Sequence, residues 1–97
     1  MIGSFANGAT EDIFDGVDSR HARRACPKDL WAVARRKLTQ INRVIELKEL
    51  SIPPGNRLER LHGDRSGQWS IRINEQYRVC FVWEDGHAYG VEITDYH

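Results

Sequence analysis

Apolar and polar residues take turns over the C-terminal third of the chain. Trp69, Ile71 and Ile73 alternate with Ser70, Arg72 and Asn74. Tyr77, Val79, Phe81 and Trp83 alternate with Arg78, Cys80 and Val82. Tyr89, Val91 and Ile93 alternate with Gly90, Glu92 and Thr94. Successive side chains of a strand point to opposite faces, so each run predicts a half-buried strand. Asn74-Glu75-Gln76 turns the chain between the first two runs, and Asp85-Gly86 is a strong hairpin signal between the last two. Strands linked in this way form an antiparallel meander with one apolar face, and that face needs a cover from elsewhere in the chain.

The first half supplies the cover. From Pro27 to about Leu47, Leu30, Val33, Ala34, Leu38, Ile41, Val44 and Ile45 recur at three- and four-residue steps, which predicts a long amphipathic helix with Pro27 in its first turn. Ser51-Ile52-Pro53-Pro54-Gly55 must end any continuation of it. Thr10 reads as the N-cap of a short helix that Gly16 closes. Ile2–Phe5 reads as a short strand, residues 17–26 show no clear period, and Arg57–Leu61 reads as a strand with a bulge or early end. The expectation is one α+β domain over residues 1–97. Residues 1–50 form a mainly helical half and residues 56–97 an antiparallel sheet half.

The 14 basic and 14 acidic residues cancel, but they are not evenly spread. Residues 20–45 hold eight bases (Arg20, Arg23, Arg24, Lys28, Arg35, Arg36, Lys37 and Arg43) against the single acid Asp29. Such a block suits an anionic partner, and it also suits the wet side of a helix. Cys26 and Cys80 form neither a disulfide framework nor a C-x-x-C pair, and no zinc-ligand spacing is present. No cofactor is expected. The start lacks the charged and apolar regions of a signal peptide, and no apolar run approaches a membrane span. The cytoplasm is the expected location.

The polar face of the sheet is the candidate for chemistry. It carries Arg57, Glu59, Ser70, Arg72, Arg78 and Cys80. The loop His62–Gly67 and the C-terminal Asp95-Tyr96-His97 border it, and Tyr96 shares the parity of Thr94. RNA cleavage by internal attack of a 2′-hydroxyl requires removal of one proton, delivery of another and a cation for the phosphorane-like charge. His97, His62, Asp95, Glu59 and Tyr96 are groups that can move protons. Arg65, Arg72 and Arg78 are groups that can clamp a phosphate. Plainer readings compete with these. A terminal histidine is often a solvated end, Arg78 with Glu92 makes an ordinary cross-strand pair, and Trp31, Trp69 and Trp83 suit a core.

Pro53-Pro54-Gly55-Asn56-Arg57-Leu58-Glu59, Leu61-His62-Gly63-Asp64-Arg65-Ser66-Gly67-Gln68-Trp69-Ser70-Ile71-Arg72, Gln76-Tyr77-Arg78-Val79-Cys80-Phe81 and Val91-Glu92-Ile93-Thr94-Asp95-Tyr96-His97 occur in an order that resembles HigB-type toxins. These belong to the RelE/ParE superfamily of type II toxin–antitoxin systems, and the subgroup called GraT is nearest. The resemblance covers the whole chain and is strongest from residue 53 onward. It implies two helices on a mostly antiparallel sheet of four to five strands, in the order β-α-α-β-β-β-β. It also implies a metal-independent endoribonuclease that cleaves mRNA in the ribosomal A site. A HigA-type helix-turn-helix antitoxin would neutralise it, and operator DNA would be met only through the antitoxin complex. By position, Asp95, Tyr96 and His97 match the family's catalytic tail, and Arg65 and Arg78 match its arginine sites. His62 stands where some relatives have a catalytic lysine and Glu59 where some have a histidine. The zero net charge departs from the basic character frequent in the family. The helical block (Arg20, Arg23, Arg24, Lys28, Arg35, Arg36 and Lys37) is then the expected contact to ribosomal RNA, through phosphate charge. Two other roles fit the same resemblance: a gyrase poison of the ParE kind, and a non-catalytic relative that serves as antitoxin partner and co-repressor.

Overall fold

The computed structural model describes residues 1–96. They form α1 (Gly8–Asp15), α2 (Arg20–Ala25), α3 (Trp31–Arg43) and the strands β1 (Glu59–Arg60), β2 (Trp69–Arg72), β3 (Tyr77–Glu84) and β4 (His87–Asp95). The strands pair in sequence order, each antiparallel to the next. The α+β architecture expected from the alternating runs is present. Ile13 of α1, Ala22 of α2 and Ala34, Leu38 and Ile41 of α3 pack with Ile71, Val79, Phe81, Val91 and Ile93 of the sheet. Each large aliphatic or aromatic side chain buried here contributes roughly 1.5–3 kcal/mol.

The helical half departs from the expectation in three places. Asn7, not Thr10, caps α1: its side chain accepts from the Thr10 N–H at 2.9 Å. Thr10 is buried, and its Oγ1 accepts from the Ile93 N–H at 3.1 Å, which ties α1 to β4. Residues 20–25 form α2, capped by Ser19, although Ala22 is its one fully buried residue. The long helix is shorter than its apolar pattern. Lys28–Leu30 is a tight 3₁₀ turn that leads into α3, and Val44 ends the helix by turning extended (ψ 146). Ile45 therefore lies outside the stripe and is 79% exposed.

The connection from α3 to β1 holds short 3₁₀ turns, and one side chain gathers it. Asn56 is buried. Its amide nitrogen lies 2.9 Å from Gln40 Oε1, 3.1 Å from the Leu50 carbonyl and 3.3 Å from the Ile52 carbonyl, while Lys37 Nζ donates to its Oδ1. Arg57 follows in the left-handed region (φ 46, ψ 59).

In the sheet, Asp85 and Gly86 both take positive φ, as a two-residue hairpin turn demands. Expected Arg57–Leu61 shrinks to Glu59–Arg60. The β3–β4 register shifts by one between Cys80, opposite Glu92, and Val82, opposite Tyr89. Gly90 absorbs the extra residue at φ 59. The alternation therefore breaks. Ala88, not Tyr89, joins Val91 in the core, and Tyr89 is 38% exposed. The expected N-terminal strand is reduced to two parallel bridges, Ile2 to Ala88 and Phe5 to Val91.

Candidate functional site

The outer sheet face is polar, as expected, but it is not open throughout. Ser70 and Cys80 are fully buried. The 61–68 loop joins β1 to β2, and the Leu61 N–H donates to the Gln68 carbonyl at 2.8 Å, one rung beyond the strand pairing. Arg65 lies back against the sheet, its Nη1 3.1 Å from Gln68 Oε1 and 3.2 Å from Glu92 Oε1. Burial pushes the Cys80 thiol up; its contact with Thr94 and the positive charges of Arg65 and Arg78 oppose that shift. Cys80 thus lies within the electrostatic reach of both arginines.

The end of this face nearer Tyr96 is a cleft of about 310 Å³ lined by Arg57, Glu59, Arg72, Asn74, Glu75, Arg78 and Tyr96. Three partners hold Arg78. Its Nη2 donates to the Arg57 carbonyl at 2.6 Å, its Nη1 lies 3.4 Å from Glu59 Oε2, and its Cζ lies 5.8 Å from the centre of the Tyr96 ring. Arg78 pairs with Glu59 and not with Glu92, because Glu92 is engaged by Arg65. Arg78 Nε and Ser70 Oγ are buried and have no hydrogen-bond partner among the described residues. A buried donor left in that state costs about 1–3 kcal/mol. Arg72 pairs loosely with the exposed Glu75, at 3.9 Å.

Tyr96 arrives in the cleft because the β4 ladder runs one residue further: its N–H donates to the Gln76 carbonyl at 2.7 Å. The parity of Thr94 and Tyr96 therefore places the phenol beside Arg78. Asp95 takes the opposite parity. Its Oδ2 accepts from Gln76 Nε2 at 3.1 Å, and it stands across from Tyr77, whose phenol is pushed up by burial and then by the Asp95 charge. His62 is exposed just before the Gly63–Arg65 turn. The structure brings Arg57, Glu59, Arg72, Arg78 and Tyr96 together. It holds Arg65 and His62 at the loop and Asp95 on the other side of the strand. His97 lies outside the described residues.

Part of the helical basic block is engaged within the chain. Arg23 and Lys28 share Asp18, at 2.5 and 2.7 Å, and Lys28 also sits 5.9 Å from the centre of the Trp31 ring. Arg20, Arg24, Arg35 and Arg36 are exposed. Lys37 is half-buried against Asn56, and burial followed by the Arg36 charge holds its ammonium below the usual lysine range. Asn74 and Glu75 complete the cleft, and Asn56, the residue before Arg57, ties the connection to α3; sequence reasoning singled out none of the three. The Asn-Glu-Gln turn marked the first two only as a bend, and no local pattern marks Asn56. Among the described residues no group of three His, Cys, Asp or Glu side chains is placed to hold a metal ion, and no helix is long and apolar enough to cross a membrane.

Against known proteins, residues 4–97 match the family model described as the RelE-like toxin of the type II toxin–antitoxin system HigB. Toxin HigB-1 of Vibrio cholerae is 44% identical over 71 residues, 73% of this chain and 73% of that protein. Endoribonuclease HigB of Proteus vulgaris is 34% identical over 64 residues, 63% of this chain and 65% of that protein. Among solved structures, a YoeB-YefM complex from Staphylococcus aureus aligns with a TM-score of 0.54 at 20% identity, covering 100% of this chain and 98% of that one. At that identity the likeness speaks for the fold.

Proposed function

This chain belongs to the HigB-like family of RelE-like toxins of type II toxin–antitoxin systems, and on that premise we propose that it is an endoribonuclease that cleaves mRNA in the ribosomal A site. It acts in the cytoplasm, and a HigA-type antitoxin neutralises it. The observation that carries the reading is Arg78. A guanidinium held by Arg57, Glu59 and Tyr96 faces a polar cleft. That is the form of cation an in-line attack on a phosphodiester needs.

In this reading the 2′-hydroxyl attacks the neighbouring phosphate. Arg78 meets the charge that grows on the non-bridging oxygens, and an incoming phosphate displaces the weak Glu59 contact. Tyr96 stacks on or positions a base beside the scissile bond. His97 moves a proton as general acid or base, and Asp95 orients it or shares that proton work. Arg65 and His62 border the adjacent RNA, and Arg72 adds charge at the cleft mouth. Proton transfer and charge stabilisation are both available from side chains, so this route calls on no metal. The exposed Arg20, Arg24 and Arg35 of the helical half meet ribosomal RNA through phosphate charge. The ribosome supplies part of the substrate geometry, so naked RNA is a poor substrate.

The test is mapping of mRNA ends after induced expression of the wild type, His97→Ala and Arg78→Ala. New ends within translated codons, lost in both variants, are expected. Intact mRNA together with DNA damage points instead to a gyrase poison. Growth without arrest in the wild type points to a non-catalytic partner of the antitoxin.

A further inference from the structure

We infer that a groove along α3, separate from the Arg78 cleft, is the docking site for an acidic, aliphatic-bearing segment of the antitoxin. The inference rests on the reading of this chain as a toxin with an antitoxin partner. The groove measures about 680 Å³, more than twice the 310 Å³ of the cleft. Arg36, Lys37, Gln40 and Arg43 of α3 form one side; Pro53 stands on the other, with Val44 where the helix ends. No residue lines both the groove and the cleft.

Charge selects the occupant's polarity. Three cations line the groove against one carboxylate, Glu49. That carboxylate is already engaged: its Oε2 accepts from the N–H groups of Ile45 and Glu46 at 2.9 and 2.7 Å, which hold it below the usual carboxylate range. Lys37 is engaged by Asn56. Arg36 and Arg43 are exposed and in no ion pair among the described residues, so they are the guanidinium groups free to fork onto carboxylates.

The apolar surface selects a protein over a nucleic acid. Val44 and Pro53 line the groove, and the residues next to them in sequence, Ile45 and Ile52, are 79% and 69% exposed. An apolar lining beside the cations gives a partner's aliphatic side chains something to cover. No aromatic residue lines it, so a nucleobase finds no ring to stack on. RNA held by its phosphates alone would leave the aliphatic surface wet. A segment carrying both carboxylates and aliphatic side chains satisfies both features.

The experiment uses the full chain and the helix-turn-helix antitoxin encoded in the same operon, with affinity read by calorimetry. Arg36→Glu/Arg43→Glu is expected to weaken binding about 100-fold, the scale of reversing interfacial charges. Arg60→Glu reverses an exposed charge on β1 outside the groove and is expected to stay within about threefold. In the wild type, antitoxin is expected to slow backbone amide exchange over residues 36–53. A double variant that binds within about threefold of wild type overturns the inference, as does protection centred on the Tyr96 cleft. A double variant that keeps the antitoxin and loses the ribosome assigns the groove to RNA and also overturns it. A wild-type chain that binds no antitoxin sinks the toxin–antitoxin reading itself, a result distinct from a loss confined to the double variant.

Discussion

The Arg78 guanidinium donates to the main-chain carbonyl of Arg57 at 2.6 Å. One arginine's backbone thus holds the head group of the other. Arg57 presents that carbonyl from the left-handed region, which a residue of its size seldom occupies. With Glu59 and the Tyr96 ring on other sides, the head group is placed before any substrate arrives. Charge placed in advance does not have to reorganise when the reaction needs it.

Arg78→Lys keeps the charge and loses the planar fork. A single ammonium cannot donate to Arg57, face Glu59 and lie against Tyr96 at the same time. Cleavage of translated mRNA is expected to fall by about 100-fold or more, the usual cost of losing one stabilising donor. Quantitative mapping of mRNA ends reads this directly, and a lysine variant that cleaves at the wild-type rate removes Arg78 from the role.

Asn56→Asp is nearly the same shape, yet it is expected to destabilise the fold by about 3 kcal/mol. A carboxylate pairs with Lys37 but cannot donate to the Leu50 and Ile52 carbonyls or to Gln40 Oε1. Urea unfolding measures the loss. A stability equal to wild type would mean that these carbonyls find other donors.

Asp12 and Asp18 titrate below the ordinary 3.8, Asp12 mainly through its hydrogen bond from Ser19 and then His21, Asp18 through Lys28 and then Arg23. A carboxylate depressed by folding adds stability that is present above its unfolded value and is lost as pH falls through its folded value. The melting temperature is therefore expected to hold at pH 5 and to fall below pH 3.8. Asp18→Asn is expected to start lower at pH 5 and to fall less. Parallel acid profiles for the two proteins would rule out this contribution.

Neither cysteine is expected to react with a thiol reagent in the native state at pH 8. Cys26 is pushed up to about 11, by burial first and by Asp29 second, and burial also raises Cys80. The nucleophile is the thiolate, and here the thiols are neutral and enclosed. Absorbance on titration with Ellman's reagent should show no fast phase until denaturant is added. A fast native phase would mean that motions of the folded chain expose a buried thiol.

The meander, the covering helix and the Asp85-Gly86 turn were legible because each follows from a local period or a turn residue. So was the placing of Tyr96 on the polar face, which needs only the parity it shares with Thr94. The α2 helix was not legible, since one buried alanine among basic residues carries no period. Tyr89 misled because Tyr89, Val91 and Ile93 keep a perfect alternation in sequence while Gly90 breaks it in space. Ser70 and Cys80 looked exposed by parity, but both are fully buried, through tertiary packing that no local pattern encodes. Asn56 has its partners in α3 and in two carbonyls, so its role appears only after the chain has folded back.

Ile2 bridges Ala88, and Phe5 bridges Val91. A ribosome makes residues 2–5 long before residues 88–91. During synthesis the helices and the β2–β3 hairpin can gather, but the opening residues have no partner until β4 emerges. An unfinished chain has neither this clamp nor Tyr96 beside Arg78. The Arg78 cleft is thereby completed only after β4 has been made, by the order in which the chain is synthesised.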